Sequence, residues 1–253
     1  MILRFDHFVL NIESSYQKDQ QVIDQIREAG FPYEPKCGKG TGGFKASNLW
    51  IGEQYLEMIH LLKVDGGGWK SEWVEKYHQG HRGLICLMLD MDDLDSIYQT
   101  LTQEKILMTE PECLQFKWFL NLMTKTMPWR NSYLPFWEGI PMQIGFQQMK
   151  DEKSREFMTQ YMVPNSRDSG ISGINKVVIN GQLTKADKIL LEAIFKENII
   201  NNSPLTIKLN AEQVIVFKEN DHYAVDIYTK CNQAELINKE LKIENVTIHN
   251  VQG

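Results

Sequence analysis

Apolar positions along this chain recur as an ordered series of patterns. The run LRFDHFVLNI reads as a β-strand, and QKDQQVIDQIREAG follows with apolar residues at helical spacing and a glycine to end it. Turn chemistry comes next in CGKGTGG, and then two strands, FKASNLWIG and QYLEMIHLL, joined by a tight turn at Gly52 and Glu53. The order restarts after VDGGGWKSEWVEKYHQGH, whose glycines and tryptophans predict a structured connection or a lid. GLICLMLDM is the second leading strand, DDLDSIYQTLTQEK a helix with acidic residues in its first turn, and ECLQFKWFLNLMTK and GIPMQIGFQQM complete the set. A third restart runs from GINKVVING through TKADKILLEAIFKE, with a threonine placed to cap the helix, to LTIKLN, EQVIVFKE and HYAVDIYTK.

Three βαβββ units therefore fit the chain, which predicts an α+β protein. Two of them (about 1–63 and 80–149) pair in a domain over 1–168, and the third occupies 169–253. The boundary rests on the turn-rich PNSRDSG and on a change of alphabet: the last Arg is Arg167 and the last Trp is Trp137.

Composition narrows the function without naming it. With 253 residues, 42% hydrophobic and 24% charged, the chain can bury a core unaided. Its formal charge is −6 with Lys and Arg scattered singly, so no basic stripe exists to hold nucleic acid or an anionic membrane. Arg4 and Asp6 interrupt the first apolar run, which fits neither a secretory signal nor a membrane span, and a cytoplasmic protein is expected. Cys37, Cys86, Cys113 and Cys231 lie far apart and are expected to stay reduced. GKGTGG lacks the features of a phosphate-binding loop, and neither a GxSxG elbow nor an HExxH helix occurs.

Two ionisable residues stand out inside apolar strands. Alternation puts Phe5, His7, Val9 and Asn11 on one face of the first strand, with Asp6, Phe8 and Leu10 on the other. In QYLEMIHLL, Glu57 shares a face with Tyr55 and Ile59. A carboxylate flanked by Leu and Met costs several kcal/mol to desolvate unless it is paired, hydrogen-bonded or bound to a cation. Two readings follow: His7 and Glu57 are metal ligands, or His7 bonds Glu57 or Asp6 and stabilises the sheet. Without a metal, Glu57 becomes a candidate catalytic base for proton abstraction next to a carbonyl.

At DHFVLNI, GGFKASNLWIG, YLEMI, HRGLICLMLDMDDLD, LPFWEGI and VPNSRDSGISGINKVVI, taken in that order, the chain resembles the vicinal oxygen chelate superfamily in its glyoxalase-like branch, over roughly residues 2 to 180. The resemblance implies βαβββ modules that curl into U-shaped mixed sheets around a pocket. In metal-using relatives the first strand of a module supplies a His or Gln and its last strand a Glu, and the second module repeats this. Carried over, the first module matches at His7 and Glu57, while the second has Leu84 and Gln143 at those places. The implied metal set is His7, Glu57 and Gln143, for a divalent transition metal (Mn, Fe, Zn or Ni) or for none.

Asn48 sits where the pattern has an asparagine and could orient a substrate oxygen or stabilise a turn. Trp118, Arg130, Phe136 and Trp137 could wall a pocket for a small, flat or anionic ligand, or be core. In the third unit Asp226 comes closest to an ionisable residue in a late strand. An odd third module would either pack on its neighbours or pair with its copy in a second chain, and a homodimer is the expectation. The implied activity is that of a metal-dependent lyase, isomerase or dioxygenase on a small carbonyl- or diol-bearing molecule. The alternative is a metal-free small-molecule binding protein resembling the drug-resistance members of the superfamily.

Overall fold

The computed structural model describes residues 3–38, 40–118 and 123–253, and side chains from 116 to 125 lie outside what it describes. The first half of the chain forms β1 (Leu3–Asn11), α1 (Ser15–Lys18), α2 (Gln20–Glu28), β2 (Phe44–Ile51), β3 (Gln54–Leu61), α3 (Ser71–His78), β4 (Gly83–Met91), α4 (Leu94–Gln103), β5 (Glu112–Trp118), β6 (Met123–Tyr133) and β7 (Gln143–Met149). After α5 (Glu152–Thr159) come β8 (Ile171–Asn180), α6 (Lys185–Phe195), β9 (Ile199–Asn202), β10 (Leu205–Lys208), β11 (Val214–Lys218), β12 (Ala224–Cys231), β13 (Glu240–Ile243) and β14 (Val246–Gln252).

The fold is mixed α+β with two seven-stranded mixed sheets, consistent with repeated βαβββ modules of the glyoxalase fold. In the first sheet the order is β2-β3-β1-β4-β7-β6-β5, with β1 parallel to β3, β4 parallel to β7, and β1 antiparallel to β4 where the two modules meet. Local chemistry sets the element ends. Asp19 accepts a hydrogen bond from the Gln21 N–H to start α2, and Gly30 follows the helix at φ +98°. Gly52 turns β2 into β3 at φ +65°, where a Cβ would strike the Ser172 carbonyl. Thr184 caps α6 in a reciprocal capping box with Asp187.

The second sheet runs β13-β14-β12-β8-β11-β10-β9. It is a pair of modules where the sequence pattern predicted one: β8, α6 and β9 to β11 make a full unit, and β12 to β14 make another without a helix. The missed strands explain the difference. IINN carries no strand-like alternation, and turns over residues 234–238 replace the helix that would have signalled a restart.

One hydrophobic core runs through both sheets, joining Leu3, Phe8 and Leu87 of the first to Val177, Ile227 and Ile248 of the second. A smaller core lies on the opposite face of the first sheet. There α3 and the loop before it lay Trp69, Trp73, Val74 and Tyr77 against Val9, Ile59, Cys86 and Met88. The Gly- and Trp-rich connection is thus an ordered lid covering part of that face.

Candidate functional site

A β-bulge builds the site. Phe5 pairs with Leu89 and His7 with Met88, so Asp6 has no partner on β4. The extra residue breaks the alternation expected from the sequence. Phe5 joins Phe8 in the main core, with ring centroids 5.7 Å apart, and Asp6 comes round to the side of His7. His7 Nδ1 lies 2.5 Å from Asp6 Oδ2, and His7 is only 7% exposed. The acceptor carboxylate assigns the proton to Nδ1 and leaves a lone pair on Nε2.

Glu57 meets that lone pair. β3 runs parallel to β1 with Tyr55 beside His7 and Glu57 beside Val9, so Glu57 Oε2 stands 3.9 Å from His7 Nε2. Tyr55 stacks on the imidazole, with centroids 4.7 Å apart and planes 15° from parallel, and Trp50 packs on Tyr55 at 4.3 Å. Asn48 is the β2 partner of Glu57. Among the described residues the Glu57 carboxyl takes no hydrogen bond. Burial raises its pKa, His7 opposes that shift, and Asp6 adds to it.

The strand register relates the two modules and corrects the sequence alignment between them. The pairs Phe5 with Leu89 and His7 with Met88 are mirrored by Leu84 with Leu10 and Cys86 with Val9, and the Asp6 bulge is mirrored by one at Ile85. The counterpart of His7 is therefore Cys86, not Leu84. On β7, Gln143 pairs with Cys86 as Tyr55 pairs with His7, so the counterpart of Glu57 is Gly145. A Cβ at Gly145 would collide with Met88 Sδ. Gln143 is committed elsewhere: its Oε1 accepts from the Trp73 indole N–H, and its Nε2 donates to the Leu134 carbonyl at 2.7 Å.

These residues do not fit a bound transition metal. His7 Nε2 and Glu57 are two donors, the amide of Gln143 is spent, and the mirrored positions hold a thiol whose pKa burial pushes up and a glycine. Among the described residues no group of three or more His, Cys, Asp and Glu side chains is placed to hold a metal ion.

The remaining predicted residues divide. Phe136 borders the smaller core near α3, with Lys76 Nζ 5.4 Å from its ring. Trp137 is 4% exposed and packs on Phe217 at 5.3 Å, inside the main core between the sheets. Arg130 forms a two-pronged ion pair with Asp95 of α4 (3.0 and 2.8 Å) and, with Trp129, lines a separate cleft of about 460 Å³. The Trp118 side chain lies outside the described residues. Sequence reasoning missed Tyr133, Lys70 and Trp73, which sit over the second-module half of the same sheet face. Lys70 Nζ lies 3.9 Å from the Tyr133 ring centroid, and Trp73 meets the same ring edge-on at 5.8 Å.

The second sheet repeats the geometry with other residues. Val177 pairs with Ile227 as Phe8 pairs with Leu87, which puts Lys176 at the His7 position, Val216 at that of Glu57, and Asp226 and His249 at those of Cys86 and Gly145. His249 lies between Asp226 (3.0 Å) and Glu240 (2.9 Å) and stacks on Tyr228 at 4.8 Å. Both of its ring nitrogens are engaged.

No protein-family model matches the chain, and no curated protein matches it. Among solved structures it is similar over 99% of its length to a hypothetical protein from Staphylococcus aureus, all of which is covered, at 14% identity and a TM-score of 0.70. This match establishes the fold alone. A Streptomyces coelicolor methylmalonyl-CoA epimerase in complex with 2-nitronate-propionyl-CoA aligns with 60% of this chain and 100% of its own, at 12% identity and a TM-score of 0.41. The Mycobacterium tuberculosis methylmalonyl-CoA epimerase aligns with 59% of this chain and 90% of its own, at 11% identity and a TM-score of 0.38. Overlap at that level bears on neither fold nor chemistry.

Proposed function

We propose that the His7–Glu57 pair catalyses proton transfer next to a carbonyl in a small organic molecule, a metal-free isomerase-type reaction. One observation carries the reading: the free nitrogen of an imidazole anchored by Asp6 faces, across 3.9 Å, a carboxyl group without a hydrogen bond among the described residues. Environments that separate two neighbouring groups into base and acid mark the roles. His7 Nε2 takes a proton from the carbon beside the carbonyl, and the Glu57 carboxyl gives its proton to the oxygen as the enolate forms. Return of the proton to that carbon, on the same or the opposite face, with the enol proton going back to Glu57, regenerates the carbonyl and completes the cycle. Burial favours this assignment because it holds the Glu57 carboxyl protonated to higher pH than usual. Asn48 is placed to orient the oxygen.

The test is exchange of carbonyl-adjacent protons for deuterium, followed by proton NMR across a panel of oxo compounds. Wild type is expected to exchange one of them, and Glu57→Gln and His7→Gln to lose 10²-fold or more, the usual scale for a positioned acid or base. Elemental analysis of protein purified without chelator or an affinity histidine tag is expected to find no stoichiometric transition metal. A one-to-one content that disappears in Glu57→Ala would overturn the metal-free mechanism.

The second reading, a binding protein without catalysis, is favoured by the lid: α3 covers part of the same sheet face with Trp73 and Tyr77. It predicts ligand-induced thermal shifts that survive Glu57→Gln, with no exchange in any variant.

A further inference from the structure

We infer that Lys70, at the start of the lid helix, is the anion-binding group of the sheet face that carries His7 and Glu57, so that its substrates are elongated oxo acids with a carboxylate several bonds from the reacting carbonyl. The inference rests on the proposed chemistry at His7 and Glu57 and adds the other end of the substrate. Lys70 is half-buried and, among the described residues, its Nζ forms no ion pair. Every Asp and Glu side chain lies among the described residues, and none comes within 4.0 Å of Nζ. Its contacts are the faces of two aromatic rings, Tyr133 at 3.9 Å and Trp73 at 5.6 Å. A cation over aromatic faces is held in place yet still lacks a counter-charge. Burial also lowers the pKa of the ammonium, the direction expected for a desolvated cation awaiting an anion.

Tyr133 ties this cation to the catalytic end. A Cβ built at Gly145 would meet Tyr133 Cδ1 at 2.9 Å and Met88, so the Tyr133 ring leans across Gly145 towards Met88, the strand partner of His7. Lys70 thus lies on the catalytic face of the sheet, over a ring that reaches from β6 across β7, while His7 is on β1. In the order β1-β4-β7-β6 the strand under that ring, β7, is two steps of about 4.8 Å each from β1. A two-carbon or three-carbon acid cannot bridge that distance. An acid with its carbonyl several carbons away can.

Isothermal titration and thermal shift with pyruvate, levulinate and oxoheptanoate, each against its methyl ester, test this directly. Oxoheptanoate is expected to bind best among the acids, and its ester about tenfold or more weaker, as loss of a charge-assisted contact implies. Lys70→Met should weaken the acid by the same factor and leave the ester unchanged, while Lys70→Arg should retain binding. Circular dichroism melts of each variant check that the fold is intact. Equal affinity for acid and ester, an unchanged Lys70→Met, or no binding of any acid would overturn the inference. Acid binding that depends on Lys70 without any deuterium exchange would sustain it while sinking the catalytic reading.

Discussion

The residues with most to report are Asp6, His7 and Glu57, whose behaviour follows from one bulge. Because Asp6 accepts from Nδ1, neutral His7 should be the Nδ1–H tautomer, and the ¹⁵N spectrum of the histidine ring should show Nε2 as the unprotonated nitrogen. Asp6→Asn should shift that tautomer balance, and an unchanged spectrum would remove Asp6 from the mechanism. Glu57 supplies a stability test with a definite sign. Its folded pKa is raised above the usual 4.5, so over the window above that value the folded chain holds more protons than the unfolded one, and stability contributed by this group falls as pH rises. Glu57→Gln stays neutral throughout. Its melting temperature relative to wild type should therefore be higher at pH 8 than at pH 5. A difference of the same size at both pH values would mean that the Glu57 carboxyl is not held in its acid form.

At the scale of elements, the lid helix makes the clearest prediction. Trp73 is 3% exposed, packs beside Cys86 and Met88, and donates its indole N–H to Gln143. Trp73→Phe keeps most of the burial but leaves the Gln143 oxygen without a donor, a loss of about 1–3 kcal/mol; Trp73→Ala adds a cavity and should cost about 3–5 kcal/mol. Denaturant unfolding that leaves Trp73→Phe as stable as wild type would show that the indole N–H contributes nothing. The elements themselves were largely legible. Strand, helix and turn signals mark the first two modules, the lid and the capped α6, and an isolated Glu57 in an apolar strand marks the site. Register was not legible. β4 is buried on both faces, so LICLML has no polar alternation to align against DHFVLNI, and nothing in the local pattern marks the bulges at Asp6 and Ile85 that set Cys86 opposite Val9. The alignment that set Leu84 and Gln143 against His7 and Glu57 departs from the observed register for that reason. Lys70 was hidden differently: its role depends on Tyr133, 63 residues on, and only folding shows that this cation forms no ion pair among the described residues.

For the whole molecule, the boundary near residue 168 divides the sheets and not the core. Buried and half-buried amides stitch the halves together backbone to side chain. Gln213 accepts from the Phe5 N–H at 2.9 Å and donates to the Ile174 carbonyl at 3.1 Å, Asn245 accepts from the Leu84 N–H at 2.9 Å, and Asn250 donates to the Ala29 carbonyl at 3.0 Å. Two of these anchors reach the strands that build the site: Gln213 holds β1 next to the bulge, and Asn245 holds the start of β4. The second sheet therefore acts as the rigid back wall of the site as well as carrying its own His249 cluster. Units that share one core and these bonds should unfold together, giving a single calorimetric transition whose enthalpy matches the van't Hoff value. Gln213→Ala leaves the Phe5 N–H and the Ile174 carbonyl buried without a partner and should lower stability by on the order of 1–3 kcal/mol within that one transition. It should also slow deuterium exchange at the substrate, because β1 loses its anchor two residues from His7. Two resolved transitions, or a destabilised Gln213→Ala with full exchange activity, would show that the halves are independent and that the back wall has no part in positioning the imidazole.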